Sequence, residues 1–532
     1  MRTESIWVAG GVVATVLLSL STGLSSAQVG DAASAASGNG MGGGKGAGMT
    51  AGAAAAGAGM AAGTGKTSAP DTAFTQILGR PTDHSIAVSL LSPTNIEAYV
   101  EYGESAGNYS GRTAVTSIQS GKPTEITVQG LKPNRQYFYR IQQRAAGGSA
   151  YTAGAEQDFY TQRAPGSTFS FGVQGDSHPE RLGRMYNPEL YVRTMQQVRA
   201  ANPDFYIMLG DDFNVDPLYN AGNLNTAGIA SLYANQRHYL GLMASTVPLF
   251  HVNGNHEQAA AHSLDGTPNS PGVLAGIGRN AYLPLPAPDD FYSGDKQPVE
   301  FVGLRRDYYA WTWGDALFVT IDPYWHSPVQ VDAGIGGQAG RAAEGKEGKN
   351  AMARDGWAAS MGDEQYQWLK TTLEQSKAKY KFVFAHHVLG TGRGAVEVAD
   401  LYEWGGKNQQ GVWEFDKKRP GWAMPVHQLM VKNGVTIFFQ GHDHLFARQS
   451  KDGLVYQEVP NPADDTYTIF NKDAYKSGDI LGNAGYLRVT VSPESAKVDY
   501  VRSWLPKDET AGHKQGEVAF SYTVSPTGLA KK

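Results

Sequence analysis

The chain has 532 residues, 41% hydrophobic and 18% charged, enough for more than one core. A net charge of −5 argues against a nucleic-acid-binding surface as its main business. With no cysteine, disulfides, thiolate metal sites and c-type haem attachment are excluded, and any bound metal must sit on nitrogen and oxygen ligands.

Arg2 precedes an apolar run from Ile6 to Leu20, and Ser25-Ser26-Ala27 offers small residues for cleavage before Gln28. Residues 1–27 therefore read as an export signal, which predicts a periplasmic or secreted mature protein. The alternative is an uncleaved membrane anchor, but the run is shorter than the ~20 apolar residues a span needs. Residues 28–70 are dominated by Gly, Ala and Met, as in Gly42-Gly43-Gly44 and Ala53-Ala54-Ala55-Ala56. Such a stretch buries too little apolar surface to offset its ordering entropy and reads as a disordered linker.

Residues 72–163 show short alternating strands between turns: Ser85–Leu90, Ile96–Tyr102, Glu125–Val128 and Gln136–Arg140. That spacing predicts a β-sandwich. Leu131-x-Pro133-x-x-x-Tyr137 resembles the tyrosine corner of immunoglobulin and fibronectin type III sandwiches. This region reads either as a packed companion domain or as a module contacting substrate or cell wall.

Beyond Ala164-Pro165-Gly166 strands alternate with helices, which predicts βαβ units from about 165 to 525. Asn187-Pro188-Glu189 opens a helix carrying Tyr191, Met195 and Val198, and a second lies around Ile229–Met243. A long irregular insertion is expected over Gln258–Val299. Tyr308–Trp313 and Ala316–Ile321 read as a hairpin of packing aromatics, His326–Gly362 as a long loop, and Asp363 as the cap of a further helix.

Five apolar strands end in residues competent to bind metal. They deliver Asp176-Ser177-His178, Gly210-Asp211, Gly254-Asn255-His256-Glu257, Ala385-His386-His387 and Gly441-His442-Asp443-His444. Of 13 histidines, six fall in these segments. The carboxyl ends of strands in an open α/β sheet line one crevice, so the five can converge at one rim.

This ordered set resembles the signature of calcineurin-like metallophosphoesterases, and the preceding sandwich is similar to the N-terminal domain of purple acid phosphatases. The resemblance implies a four-layer α/β/β/α sandwich preceded by a fibronectin type III-like domain. It also implies two metal ions, of Fe, Mn or Zn. Asp176, His178, Asp211 and His444 would hold one, and Asp211, Asn255, His386 and His442 the other. His256 would protonate the leaving group. Purple acid phosphatases carry Gly in place of His178 and a metal-bound Tyr where Asn214 stands, so the site resembles the phosphodiesterase-like branch more closely.

The expected function is that of an exported phosphoesterase in which a metal-bridging hydroxide attacks phosphate mono- or diesters. His387 reads as a substrate contact or a packing histidine, and Arg393 as a phosphate contact or a solvated loop residue. Asp212 reads as a supporting or simply solvated carboxylate, and His251 as a core or supporting group and not a ligand. The alternative function is a non-catalytic exported binding protein that keeps the fold. The expected partner is a small-molecule phosphate ester, with no nucleic-acid scaffold role and no membrane span after cleavage.

Overall fold

The computed structural model describes residues 74–331, 355–389 and 392–526, and the backbone of 528–529. The export signal, the Gly/Ala-rich linker and most of the predicted His326–Gly362 loop lie outside the described residues.

Two sheets lie face to face. The larger has ten strands, and within it Phe169–Gln174, Phe205–Met208 and Leu249–His251 run parallel as neighbours. The smaller has eight, with Ala316–Thr320, Tyr380–Phe384, Ile437–Gln440 and Leu454–Glu458 parallel in turn. Alternate residues of each strand serve different cores, as a period of two requires. Phe171, Phe205, Ile207 and Phe250 point from the larger sheet toward Phe318, Phe382, Phe384 and Phe439 of the smaller. Phe171 meets Phe318 edge-on at 5.1 Å and Phe382 at 5.4 Å.

The opposite alternates face helices. Tyr206 and Met208 pack under Pro188–Ala201 and Thr226–Ala244 through Tyr191, Met195 and Leu240. Leu317, Val383 and Phe438 pack under Asp363–Gln375 and Val426–Lys432 through Leu369 and Leu429. The order is helix, sheet, sheet, helix. The first helix begins as its sequence predicts: the Asn187 side chain accepts the N–H groups of Glu189 at 3.0 Å and Leu190 at 3.2 Å, with Pro188 at the first helical position. The Tyr309–Trp313 and Ala316–Thr320 hairpin forms, and Trp311 and Trp313 are buried in the inter-sheet core.

The N-terminal strands join this body. Thr75–Gly79, Ser85–Leu91 and Thr124–Gln129 continue the ten-stranded sheet, with Gly79 pairing parallel to Leu249. A separate sheet built on Ile96–Gly103 and Gln136–Ala145 packs over them through Leu78, Ile86, Val88, Val100 and Tyr139. The Lys132 N–H donates to the Tyr137 hydroxyl at 3.0 Å.

One stretch read as irregular is helical. Pro271–Tyr282 forms within the Gln258–Val299 insertion. Its glycines, at 272, 276 and 278, are weak helix formers at about 1 kcal/mol each and make the segment read as a loop. Burial of Val273, Leu274 and Tyr282 compensates.

Candidate metal centre

The strand-end pattern predicts convergence at one sheet, and the structure corrects this. Asp176, Asp211 and Asn255 follow strands of the ten-stranded sheet, whereas His386 and His442 follow strands of the eight-stranded one. The aromatic core between the sheets brings the two rims together.

Asp176, Asp211, His386 and His442 each offer a ligand atom within 4.8 Å of the others, and Asp176, His178 and His444 form a second such set. His386 Nε2 lies 3.3 Å from Asp211 Oδ2, 3.0 Å from Asn255 Oδ1 and 3.2 Å from His442 Nδ1. His444 Nε2 lies 3.1 Å from Asp176 Oδ2, and His178 Nε2 lies 3.5 Å from Asp211 Oδ2. The structure thus brings together all seven residues expected as ligands: Asp176, His178, Asp211, Asn255, His386, His442 and His444.

Four of them occupy the left-handed backbone region, with φ of 49° at His178, 57° at Asp211, 77° at His442 and 52° at His444. Such conformations cost a non-glycine residue about 1–3 kcal/mol and persist only where the surroundings over-determine them. Here they are cross-braced. Asp176 Oδ1 accepts the His442 N–H at 2.8 Å, and Asp211 Oδ1 accepts the His256 N–H at 2.9 Å. Both braces need glycine beside them: a Cβ at Gly441 would stand 2.5 Å from Asp176 Oδ1, and one at Gly254 2.3 Å from Asp211 Oδ1.

The donor set fits metal ions. The Leu209 carbonyl accepts the His386 Nδ1–H at 2.8 Å, so Nε2 is the nitrogen turned to the cluster, where a metal ion would replace its proton. Glu180 does the same for His178, with Oε1 2.8 Å from Nδ1. His178 Nε2 and Asp176 Oδ2 are buried and make no hydrogen bond among the described residues. Burial and the nearby Arg181 push His178 down to about 4, so its ring is neutral at neutral pH. Burial would raise Asp176, but His386 and His444 hold it down to about 2. Burial lowers His386, yet Asp211 and Asp176 outweigh it and carry the imidazolium up to about 10. Two buried carboxylates thus draw positive charge to this point. Nitrogen and oxygen donors of this kind suit Zn, Mn or Fe.

His256 stands at the edge of the cluster, its side chain 21% exposed, with Nε2 3.9 Å from Asp211 Oδ2. Its Nδ1 lies 2.5 Å from Asp216 Oδ2. Burial opposes its charge, but Asp211 and Asp216 push it up to about 9. His387 is buried, with Nδ1 3.0 Å from the Tyr324 hydroxyl and its ring stacked on His442 at 4.7 Å. Arg393 donates to the His442 carbonyl at 2.6 Å and to Asp443 Oδ1 at 3.0 Å, so it is anchored to the ligand loop instead of solvated. Asp212 is buried and accepts from Gln174 at 2.7 Å, and His251 receives Arg279 Nε at 3.3 Å. Asn214 donates to Glu180 Oε1 at 2.8 Å.

Four supporting residues escape sequence reasoning. Glu257 gathers backbone N–H groups from two loops, Asp216 holds His256, Glu180 holds His178, and Arg181 lies with Nη2 3.5 Å from His256 Nε2. Glu257 ends a visible motif, but nothing in the linear spacing reveals its partners. The others lie in the short helix Asp216–Asn220 and the 3-10 turn Pro179–Arg181, which carry no sequence pattern of their own.

Comparison with known proteins agrees with this geometry. A family model described as calcineurin-like phosphoesterase matches residues 169–446. Purple acid phosphatase 21 of Arabidopsis thaliana is 29% identical over 188 residues, covering 33% of this chain. That match spans only 35% of the plant protein's length. Among solved structures, purple acid phosphatase PPD1 from yellow lupin (Lupinus luteus) seeds superposes with a TM-score of 0.54 at 17% identity, covering 85% of this chain and 74% of its own. PhoD gives 0.57 at 15% identity, covering 88% and 93%. At such identities the likeness is one of fold.

Proposed function

Because the chain belongs to the calcineurin-like phosphoesterase family, we propose that it is a two-metal phosphoesterase hydrolysing phosphate mono- or diesters. The observation that carries this is the Asp176–Asp211–His386–His442 cluster with His256 at its accessible edge. Metal ions bound there supply Lewis-acid charge to the phosphoryl oxygens and lower the pKa of water. The chain's own groups do the rest. Asp176, His178, Asp211 and His444 would hold one ion, and Asp211, Asn255, His386 and His442 the other. His256 Nε2 hands its proton to the departing oxygen, and Asp216 keeps that proton on Nε2 by taking the one on Nδ1.

Two finer readings go with this. The N-terminal region is a fibronectin type III-like companion, supported by its two-sheet core and the bond from Lys132 N–H to Tyr137. The protein is exported, supported by the Arg2–Ala27 segment; among the described residues no helix is long and apolar enough to cross a membrane. The N-terminal residue of the mature chain, read by mass spectrometry, tests the second.

The competing reading is a binding protein that has lost catalysis. It is disfavoured because no expected ligand is missing from the cluster. Metal analysis with hydrolysis of p-nitrophenyl mono- and diesters after Mn, Zn or Fe loading separates the two. About two ions per chain with turnover supports the enzyme, and well under one ion with none overturns it.

A further inference from the structure

Most of the ligand side chains are almost sealed from solvent. The side chains of Asp176, His178, Asp211, His386 and His444 are at most 3% exposed. Among the described residues an accessible flank lies at half-buried Asn255 and at His256, 21% exposed, and beside it Arg181, 13% exposed. Arg181 follows His178 by three residues, in the short 3-10 turn Pro179–Arg181. Its Nε lies 3.3 Å from Glu180 Oε1 and its Nη1 3.3 Å from the Met185 sulfur, contacts that orient the guanidinium itself, and its Nη2 lies 3.5 Å from His256 Nε2. That imidazole nitrogen faces the site. An ester whose leaving oxygen is within reach of His256 must therefore pass within reach of this guanidinium.

We propose that Arg181 is a substrate-positioning residue that contacts the phosphoryl group and biases the site toward phosphate monoesters. This rests on the phosphoesterase reading above and names the substrate class that reading leaves open. A monoester is largely dianionic at pH 7, with a second pKa near 6, whereas a diester carries a single charge. A planar guanidinium offers paired N–H donors to two non-bridging oxygens, and such charge-assisted bonds are about twice as strong as neutral ones. The dianion has more to gain from it. Lysine brings the charge without the fork, so Arg181→Lys should rescue in part.

The experiment uses the full-length, metal-loaded protein. Hydrolysis of p-nitrophenyl phosphate and bis(p-nitrophenyl) phosphate is measured for the wild type, Arg181→Gln, Arg181→Lys and the neighbouring Arg184→Gln, together with inhibition by inorganic phosphate. Arg181→Gln should raise the monoester KM and the phosphate inhibition constant by about 10- to 100-fold, the range of one charge-assisted bond. The diester KM should move by less than about 3-fold on the same scale, because it forms that bond with one charge fewer. Metal content should stay constant, Arg181→Lys should fall between, and Arg184→Gln should match the wild type. An unchanged phosphate inhibition constant in Arg181→Gln overturns the proposal. So does an equal loss for both esters, or a loss that follows metal content, since a merely structural role gives those results. A metal-loaded wild type that hydrolyses neither ester and does not respond to phosphate overturns the phosphoesterase reading itself.

Discussion

Glu257 holds Asp211 by its backbone: Oε2 accepts the Asp211 N–H at 3.0 Å while leaving the Asp211 carboxylate free to face the cluster. The same oxygen accepts the Gly254 N–H at 2.8 Å, and Oε1 accepts those of Asp212 at 2.7 Å and Phe213 at 3.0 Å. One buried side chain therefore ties the loop after the second site strand to the loop after the third. The left-handed conformation at Asp211 is a consequence of this tie as much as of its own sequence.

Removing that carboxylate should release the ligand loops. Glu257→Ala leaves four buried N–H groups without acceptors, each worth about 1–3 kcal/mol when unsatisfied. We expect a stability loss of at least about 3 kcal/mol in denaturant titration and a fall in metal content, because Asp211 and Asn255 flank the broken tie. Glu257→Gln keeps one acceptor oxygen and should lie between the two. A folded Ala variant with full metal content would show that the loops hold their shape without Glu257.

Asp211 itself lies within reach of both halves of the cluster, grouping with Asp176, His386 and His442 on one side and with His178 and His256 on the other. Asp211→Asn keeps the volume but removes the charge that offsets two cations. Metal analysis should show both ions lost together, with hydrolysis lost in parallel. Retention of one ion at full occupancy would mean that Asp211 serves a single site.

The inter-sheet core gives a prediction independent of metal. Phe171 contacts Phe205, Phe318 and Phe382 and is fully buried. Phe171→Ala should cost about 3–5 kcal/mol by calorimetry or denaturant titration, as large-to-small changes in packed cores do. If it costs under about 1 kcal/mol, the two sheets are not held together by this cluster.

Much of this was legible in the chain because strand periodicity and strand-end chemistry are both local. Phe205–Leu209 reads as a buried strand and Asp211 as its product without any knowledge of its neighbours. The helix at Pro271–Tyr282 was not legible, since its three glycines read as loop by propensity and its stability comes from Trp325, Ile229 and Tyr233 packed against it. The division of the ligands between two sheets was also hidden, because a strand's sequence states its period and not its partner. Asp216 and Arg181 gain their roles only beside His256, which the fold brings to them, and Glu180 holds His178 through a pairing that no sequence pattern marks.

Asn214 separates this site from that of purple acid phosphatases, in which a metal-bound tyrosine occupies the corresponding position. Its amide is turned away, donating to Glu180 at 2.8 Å, while its Oδ1 accepts the Asp216 N–H at 2.9 Å. The iron-loaded protein should therefore not be purple, with no tyrosinate charge-transfer band in its visible spectrum. A purple holoprotein would place a tyrosine on the metal and contradict the ligand set derived above.

The pairing of His256 with Asp216 is best tested by leaving-group dependence. A general acid matters most when the departing alkoxide is a poor leaving group, and its loss costs typically about 10²–10⁴-fold. His256→Ala should slow alkyl phosphates within that range and p-nitrophenyl phosphate far less, with metal content unchanged. Asp216 touches no ligand of the cluster; it fixes the ring through Nδ1 and is itself held by Gln258 at 2.8 Å. Asp216→Asn should therefore steepen the dependence of kcat on leaving-group pKa in the same direction but by less, since the imidazole remains present and only its orientation and proton are loosened. Equal slowing of good and poor leaving groups in both variants would assign the pair to structure instead of proton transfer.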